Sequence, residues 1–483
     1  MSLSELSLFV LGGYLLALVA VALVARRARA DASPADHFLA GRQLGVFVLF
    51  LTLYATAYSG NSLLGYPGEA YQRGFSWIMA TGFMIAIIVC FHILAPKLRP
   101  LARRRGFVTP GDWMRHRFGG EPGGAALRIC VAALMSWALG NFLLAQMQAM
   151  GELTEIVTGG AVPYLAGVLG LAAVILFYEH MGGMRAVAWT DAAQGTLMVV
   201  GLASLLGWLL SEVGGLGELT RAVAEARPGA LRVPDSVERA NWASSIVLLG
   251  LASVVYPQAI QRIYAARSGQ TLKRSLAIMT FMPLTTTLVV TLIGLAAIPR
   301  FEGLGQLEKD GVMPLLLGQW ADSGPIAMAL AALVFLGALA AIMSTADSVL
   351  LSLGSVLAVD LLGRPSSAPA TTRLGKRIAM LVMALVVALA WNPKLDLWRL
   401  IELKMELLIQ CVPAFLLAIH WRGLSARAVL AGILAGSAVA VVPSLLGVTR
   451  IGGVHIGVLG LAANLAVLGI TAALQRGRRA ANG

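Results

Sequence analysis

The chain has 483 residues, of which 58% are hydrophobic and only 13% are charged. Soluble globular domains contain about 45–50% apolar and about 25% charged residues, so this composition excludes a soluble enzyme and a disordered chain. The net charge of +13 would suggest a nucleic-acid partner in a soluble protein. Basic residues also collect in the cytoplasmic loops of membrane proteins, and no nucleic-acid partner is predicted here.

Thirteen apolar stretches are long enough to cross a bilayer, because a hydrocarbon core of about 30 Å needs about 20 helical residues. The predicted spans are 5–25, 45–71, 76–96, 125–149, 161–180, 186–211, 241–264, 273–298, 325–358, 374–392, 397–419, 425–446 and 455–475. They predict an all-α polytopic membrane protein that forms a single domain over residues 1–483. Most of the 37 Lys and Arg residues lie in alternate loops. This pattern predicts a protein of the plasma (inner) membrane with its N-terminus outside and its C-terminus in the cytoplasm.

The second predicted span carries small polar residues and helix breakers at membrane depth. Its centre contains Thr56, Ser59, Gly60, Asn61 and Ser62, and Pro67 follows. Such residues are costly in hydrocarbon unless the freed backbone groups line an enclosed or watered cavity. Interrupted helices place backbone carbonyls at ion and solute sites, whereas close helix packing through small residues is the alternative. Glycine and serine alone would fit close packing, but Asn61 and Pro67 are not explained by it, so we predict a discontinuous helix.

Polar residues also occur in the fourth and sixth predicted spans. Gln146 and Gln148 of the fourth span either face a cavity or form interhelical hydrogen bonds. Asp191 lies inside the sixth span, where an ionisable residue is a functional candidate by default. It could ligate a cation, carry a proton or pair with Arg185.

The seventh predicted span repeats the features of the second. Gly250, Ser253 and Pro257 could break this helix, and Gln258 follows the proline. Broken helices at matching places in two halves of a chain indicate an inverted-repeat transporter. We therefore predict one repeat over residues 45–211 and a second over residues 241–419.

The ninth predicted span combines three hydroxyl groups with a carboxylate, in Ser344, Thr345, Asp347 and Ser348. A spacing of three and four residues places Ala341, Ser344, Thr345 and Ser348 on one helical face. A hard cation such as Na⁺ prefers oxygen ligands, which hydroxyls and backbone carbonyls supply. Because a single Ser or Thr in a helix usually bonds to its own backbone, the cluster, not any one hydroxyl, predicts the cation site.

Three charged residues open the eleventh predicted span, namely Glu402, Lys404 and Glu406. They could form a polar external gate, or they could extend to the interface as charged side chains near helix ends often do. The second interpretation is favoured.

The segments together resemble the sodium/solute symporter family. The resemblance is carried by Phe38-Leu-Ala-Gly-Arg42, Gly65-Tyr-Pro-Gly68, Arg104-Arg-Gly-Phe-Val-Thr-Pro110, Gly182-Gly-Met-Arg-Ala-Val-Ala-Trp-Thr-Asp191, Tyr256-Pro-Gln with Gln261-Arg262, and Met343-Ser-Thr-Ala-Asp-Ser348. It implies the LeuT-type fold, in which two inverted repeats of five helices form the core. One further helix would precede this core and two would follow it.

The resemblance also implies binding residues. The sodium site would use Ala55, Tyr58, Ala341, Ser344 and Thr345, through three backbone carbonyls and two hydroxyls. A possible second sodium site would use Asp191, Asp347 and Ser348, and the solute site would use Ser59, Gly60, Asn61, Ser62, Trp77 and Pro257. Proline is not favoured as the solute, because Ala57, Leu249 and Ser253 differ from the pattern of the proline carriers.

These features predict a secondary active transporter that imports a small organic solute, an amino acid or an organic acid, together with Na⁺ as the coupling ion. Its partners would be the solute and the lipid bilayer, with no obligatory protein partner. Three alternatives stay open. The carrier could use protons in place of sodium, it could be a transporter-like solute sensor that acts with a signalling protein, or it could be an intramembrane enzyme using Asp191 and Asp347.

Overall fold

The computed structural model describes residues 3–27, 33–305, 308–391 and 397–481, without the side chains of residues 61, 397, 398 and 476–481. The first half contains helices α1 (Leu3–Arg27), α2 (Pro34–Leu39), α3 (Val46–Ala57), α4 (Tyr66–Arg73), α5 (Met79–Arg105), α6 (Pro110–Phe118), α7 (Gly124–Val157), α8 (Tyr164–Gly182), α9 (Met184–Val213) and α10 (Leu216–Ala226). The second half contains α11 (Ser236–Val254), α12 (Pro257–Ala265), α13 (Gly269–Met279), α14 (Leu288–Ala297), α15 (Val312–Ala321), α16 (Pro325–Ser355), α17 (Pro369–Leu389), α18 (Leu397–Leu408), α19 (Ala418–His420), α20 (Ala426–Leu445) and α21 (Ile456–Ala481). Strands β1 (Arg450–Ile451) and β2 (Val454–His455) pair antiparallel between the last two helices.

The all-α membrane class is confirmed. Within the described residues, nine helices are long and apolar enough to cross a membrane, or ten if a bent pair counts as one span. The remaining predicted spans coincide with interrupted or more polar helices, such as α3, α17 and α18. These helices are shorter, or carry more charged residues, than a continuous helix that crosses a membrane.

Two membrane helices are interrupted, in the second and seventh predicted spans. Helix α3 ends at Ala57, Tyr58 is extended (φ −106°, ψ 98°), and a wide helical turn over Asn61–Gly65 leads into α4. Helices α11 and α12 meet at an angle of 51°. Pro257 begins α12, and a proline disfavours helical geometry in the residue before it. The interruptions lie in the first spans of the two predicted repeats, and the repeat boundaries at 45–211 and 241–419 stay a prediction.

Helix α16 is the centre of the bundle. Every residue from 334 to 355 is buried, and a helix that is buried on all faces must be surrounded by others. Among its neighbours are α3, α7, α9, α12 and α17. The polar residues in its second half therefore face protein, where they can bind a ligand.

The two charged segments that interrupt the apolar pattern, 212–240 and 299–324, contain the short helices α10 and α15. Between α14 and α15, Lys309 is fully buried and forms an ion pair with Glu69 of α4. The second segment is therefore docked onto the interrupted span rather than serving only as a connector.

Candidate functional site

The interruption of α3 lies against the middle of α16. The hydroxyl of Thr345 donates a hydrogen bond of 3.2 Å to the backbone carbonyl of Ala55. Carbonyls in the last turn of a helix have no partner within the helix, so this oxygen is available to a ligand or a side chain. Two oxygen atoms from remote parts of the sequence thus meet inside the membrane region of the fold.

The other predicted sodium ligands are arranged around this contact. Ala341 and Ser344 are buried on α16, Ala341 one turn before Thr345 and Ser344 directly before it, and Tyr58 is the buried first residue beyond α3. The Ser344 hydroxyl donates a hydrogen bond to Asp191 Oδ1. Because a hydroxyl that donates a hydrogen bond keeps its lone pairs, Ser344 can still present oxygen to a cation. The residues present therefore fit a hard monovalent cation.

Asp191 is at the centre of a second buried cluster. Its Oδ2 atom accepts hydrogen bonds from the Thr52 hydroxyl and, at 3.2 Å, from the Arg262 guanidinium. Asp191 and Arg262 side chains are both completely buried. The suggested pairing of Asp191 with Arg185 is wrong, because Arg185 instead pairs with Asp36 at 2.8 Å.

Arg262, at the end of the seventh predicted span, is a buried residue of the site. It also donates to the Thr52 hydroxyl at 2.8 Å and to the Ser348 hydroxyl at 2.5 Å. The bend before Pro257 directs α12 into the protein, so a basic residue at the end of an apolar stretch reaches the core. The sequence contained one signal for this burial, because Gln258 and Arg262 are four residues apart and share a face of α12. In the structure the backbone carbonyl of Gln258 accepts a hydrogen bond of 3.2 Å from Arg262.

The residues of the possible second sodium site come together around this guanidinium. Asp347 accepts hydrogen bonds from the Tyr178 hydroxyl at 2.5 Å and from the Ser348 hydroxyl at 3.1 Å. Arg262 contacts both Asp191 and Ser348. A fixed positive charge is thus shared by two of the three residues predicted to hold a second cation.

A cavity opens beside the interruption of α3. Of the predicted solute-binding residues, Ser59 and Ser62 line it, and so do Tyr256 and Gln258, the neighbours of Pro257. Ala57, Leu249 and Ser253, the positions that differ from the proline carriers, also line this cavity.

Other predicted solute-binding residues lie behind the cavity wall. The Gly60 amide donates to the Gln146 side chain at 3.0 Å, so Gln146 forms an interhelical hydrogen bond. Trp77 is packed against Tyr66 and Phe83, with ring centroids 5.7 and 6.2 Å apart. The Asn61 side chain lies outside what the structure describes.

Lys404 also lines the cavity, although the favoured sequence interpretation placed its side chain at the interface. Its side chain lines the cavity and is only 2% exposed, so it does not extend to the interface as favoured above. The ammonium lies 3.1 Å from the centroid of the Phe142 ring, which gives it a cation–π contact. Helix α18 therefore contributes a positive charge to the cavity.

Known proteins resemble the chain over nearly its full length. The model of the sodium:solute symporter family matches residues 37–436. The sodium/pantothenate symporter of Escherichia coli is 27% identical over 452 residues, which are 91% of this chain and 90% of that protein. An osmoregulated proline transporter of Bacillus subtilis is 26% identical over 454 residues, covering 92% and 90% of the two chains.

A solved structure agrees with the fold. The substrate-bound, outward-open structure of a Na⁺-coupled sialic acid symporter superposes with a TM-score of 0.78 at 20% identity, covering 97% of this chain and 98% of that one. The LeuT-type fold is therefore confirmed.

Proposed function

Because the chain belongs to the sodium:solute symporter family, we propose that it imports a small organic solute, an amino acid or an organic acid, by alternating access. The protein is a membrane transporter, and Na⁺ is its coupling ion. The family and the structural neighbours are transporters, which removes the intramembrane-enzyme alternative. In this proposal the protein lies in the plasma (inner) membrane, with its N-terminus outside the cell and its C-terminus in the cytoplasm.

The observation that carries the proposal is the contact between the Ala55 carbonyl and the Thr345 hydroxyl. A sodium ion held by both groups would join the interrupted span to α16. Its binding would favour the conformation in which the two elements are together. The same conformation brings Ser59 and Ser62 to the cavity wall. Sodium would therefore raise the affinity for the solute, with a reciprocal coupling of about 1–3 kcal/mol.

The cluster around Asp191 supports a single sodium ion per cycle. Arg262 supplies a permanent positive charge to Asp191 and Ser348, where a second ion would otherwise be needed. An ion pair of this kind holds α12 against α9 and α16 while the sodium site beside it fills and empties. The second cluster thus has a positioning role in the proposal.

Uptake into proteoliposomes tests the proposal. Replacing both Ser344 and Thr345 with alanine removes two oxygen ligands, and interactions with a charged partner contribute about 1.5–3 kcal/mol each. We therefore expect the double variant to lose sodium-stimulated uptake, or to need at least about tenfold more sodium for half-maximal uptake.

A matched control is Ser204→Ala on α9, since the Ser204 hydroxyl bonds only to the Val200 carbonyl of its own helix. This variant should retain the sodium dependence of the unmodified protein. Undiminished sodium dependence in the Ser344→Ala/Thr345→Ala protein would refute the assignment of the site.

A further inference from the structure

Lys404 is a buried ionisable residue for which the described part of the chain supplies no counter-ion. The side chain is 2% exposed, and none of the described residues forms a hydrogen bond or an ion pair with it. Its recorded contacts are the aromatic rings of Phe142, at 3.1 Å, and Tyr256, at 5.8 Å from the ring centroids. Aromatic faces attract an ammonium group, but they do not replace a counter-ion.

The acidic residues nearest in sequence are already engaged elsewhere. Glu402 pairs with Arg399 at 3.3 Å and with Arg450, and Glu406 pairs with Arg399 at 3.5 Å. These pairs lie on the other face of α18, away from the cavity. Ion-paired glutamates thus occupy one face of α18, and the Lys404 ammonium occupies the face toward the cavity.

The described part of the cavity wall offers no carboxylate to Lys404. Among the described residues that line it, Lys404 is the only charged one. The Tyr256 hydroxyl and the Gln258 side-chain oxygen also line the cavity, and both are buried without a hydrogen-bond partner. The remaining wall is largely apolar, with residues such as Phe83, Ile87 and Leu249.

A buried charge without a partner is costly, and an ionisable residue in a membrane segment usually marks a substrate pathway. A solute that brings a carboxylate would neutralise Lys404 and hydrogen-bond the free Tyr256 hydroxyl. A zwitterionic amino acid would bring an ammonium group that finds no carboxylate in the described wall.

We infer that the solute is an organic monocarboxylate whose carboxylate binds the Lys404 ammonium between Phe142 and Tyr256, with its apolar part against the hydrocarbon wall. This inference rests on the proposed function and selects the organic acid from its two solute classes. Lys404 is then the residue that decides the charge of the solute.

Thermal unfolding of the purified protein in sodium, with and without added compounds, tests the inference first. The panel contains butyrate, lactate, benzoate and pantothenate, the amide of each acid, the zwitterions proline and alanine, and glucose as a neutral solute. We expect at least one carboxylate to raise the unfolding temperature in sodium but not in potassium, while its amide has no effect. Stabilisation only by a zwitterion, an amide or glucose would overturn the inference.

Variants of Lys404 test the residue itself. Lys404→Met keeps the length of the side chain and removes the charge, so the affinity for the carboxylate should fall about tenfold to a hundredfold. Without bound carboxylate, Lys404→Met should unfold at a higher temperature than the unmodified protein, because the substitution removes an unpaired buried ionisable group. Lys404→Arg should restore most of the affinity. Lys273→Met, at an exposed lysine of α13, is the matched control and should bind as the unmodified protein does.

The outcomes separate this inference from the proposed function. If no compound binds or is taken up in a sodium-dependent way, the proposed function fails. If a solute shows sodium-dependent uptake and Lys404→Met takes it up with unchanged affinity, only the role of Lys404 fails. Lower carboxylate affinity in Lys404→Met, together with unchanged stabilisation by sodium alone, supports both.

Discussion

The buried pair of Arg262 and Asp191 is the most constrained arrangement at the residue scale. Each side chain is fully buried, and each has a second partner, Ser348 for the guanidinium and Ser344 for the carboxylate. Removing charges from water costs several kcal/mol, and attraction with well-placed hydrogen bonds recovers that cost only while both partners are present. The pair therefore specifies how α12, α9 and α16 fit together.

Replacing one partner of this pair should lower the stability of the protein more than replacing both. Arg262→Met leaves a buried carboxylate without its cation, which costs about 3–5 kcal/mol and should sharply lower the unfolding temperature in detergent. The double variant Arg262→Met/Asp191→Asn should recover much of this loss. Arg221→Met, in an exposed pair with Glu218, is the control and should change stability by less than about 1 kcal/mol. Additive losses in the double variant would contradict the account of the pair.

The same pair predicts the sodium stoichiometry. Because Arg262 serves the residues of the second cluster, the initial rate of uptake should depend on sodium concentration with a Hill coefficient near one. The measurement varies sodium at constant ionic strength, with choline as the replacement ion. A coefficient close to two would mean that Asp191, Asp347 and Ser348 hold a second ion after all.

Sequence reasoning found some of these residues and missed others for a physical reason. A cluster of hydroxyls beside a carboxylate on one face of an apolar helix indicates ligand binding more strongly than any single hydroxyl does, so Ser344 and Thr345 were predicted. Arg262 and Lys404 lie at the ends of apolar stretches, where a basic residue normally marks a loop or reaches the interface. Their burial depends on a helix bend and on the packing of distant helices, which local sequence does not encode.

At the element scale, the interruption of α3 is held open by its neighbours. The Gly60 amide, freed where the helix restarts, is bound by the Gln146 side chain of α7. Pro67 was expected to break the helix, but the break comes earlier, at Tyr58, and Pro67 follows the wide helical turn over Asn61–Gly65 that leads into α4. The sequence thus predicted that the span is broken, while the place of the break depends on contacts with α7 and α16.

A methyl group at Gly60 should disturb this element. A Cβ atom there would lie 2.7 Å from Ile342 Cγ1 and 2.9 Å from Ala149 Cβ, so α16 or α7 would have to move. We expect Gly60→Ala to cost about 1–3 kcal/mol of stability and to reduce sodium-driven uptake.

Gly140→Ala is the control for this substitution, since a Cβ at Gly140 of α7 meets nothing within 4 Å. It should leave uptake unchanged and should not lower the unfolding temperature, because alanine is the better helix former. Equal behaviour of the two variants in uptake and thermal unfolding would show that the restart of the helix is not tightly packed.

Across the whole molecule, the fixed buried charges limit which charges a transport cycle can move. The fixed charges of Arg262 and Lys404 return to their places over a full cycle, so only the ligands transfer net charge. The thirteen apolar stretches and two matching interruptions predicted an inverted-repeat membrane transporter, and the resemblance to the sodium/solute symporter family implied the LeuT-type fold. The charge of the solute was not, because it depends on which side chains share the cavity.

One sodium ion and one monocarboxylate should therefore be carried without net charge. A potassium diffusion potential of about 100 mV, inside negative, changes the driving force by about 2.3 kcal/mol for each charge moved. We expect the initial rate of carboxylate uptake to be unaffected by this potential at a fixed sodium gradient. Strong acceleration would show that more than one cation, or an uncharged solute, is carried.

The central claim is that the interrupted span and α16 bind sodium together, through the Ala55 carbonyl and the Thr345 hydroxyl. Cryo-electron microscopy of the protein in sodium and in N-methylglucamine tests it most directly. We expect a density peak in contact with both oxygen atoms that is present only in sodium. It would be contradicted by identical maps at this position, or by a sodium-dependent peak that Ala55 and Thr345 do not touch.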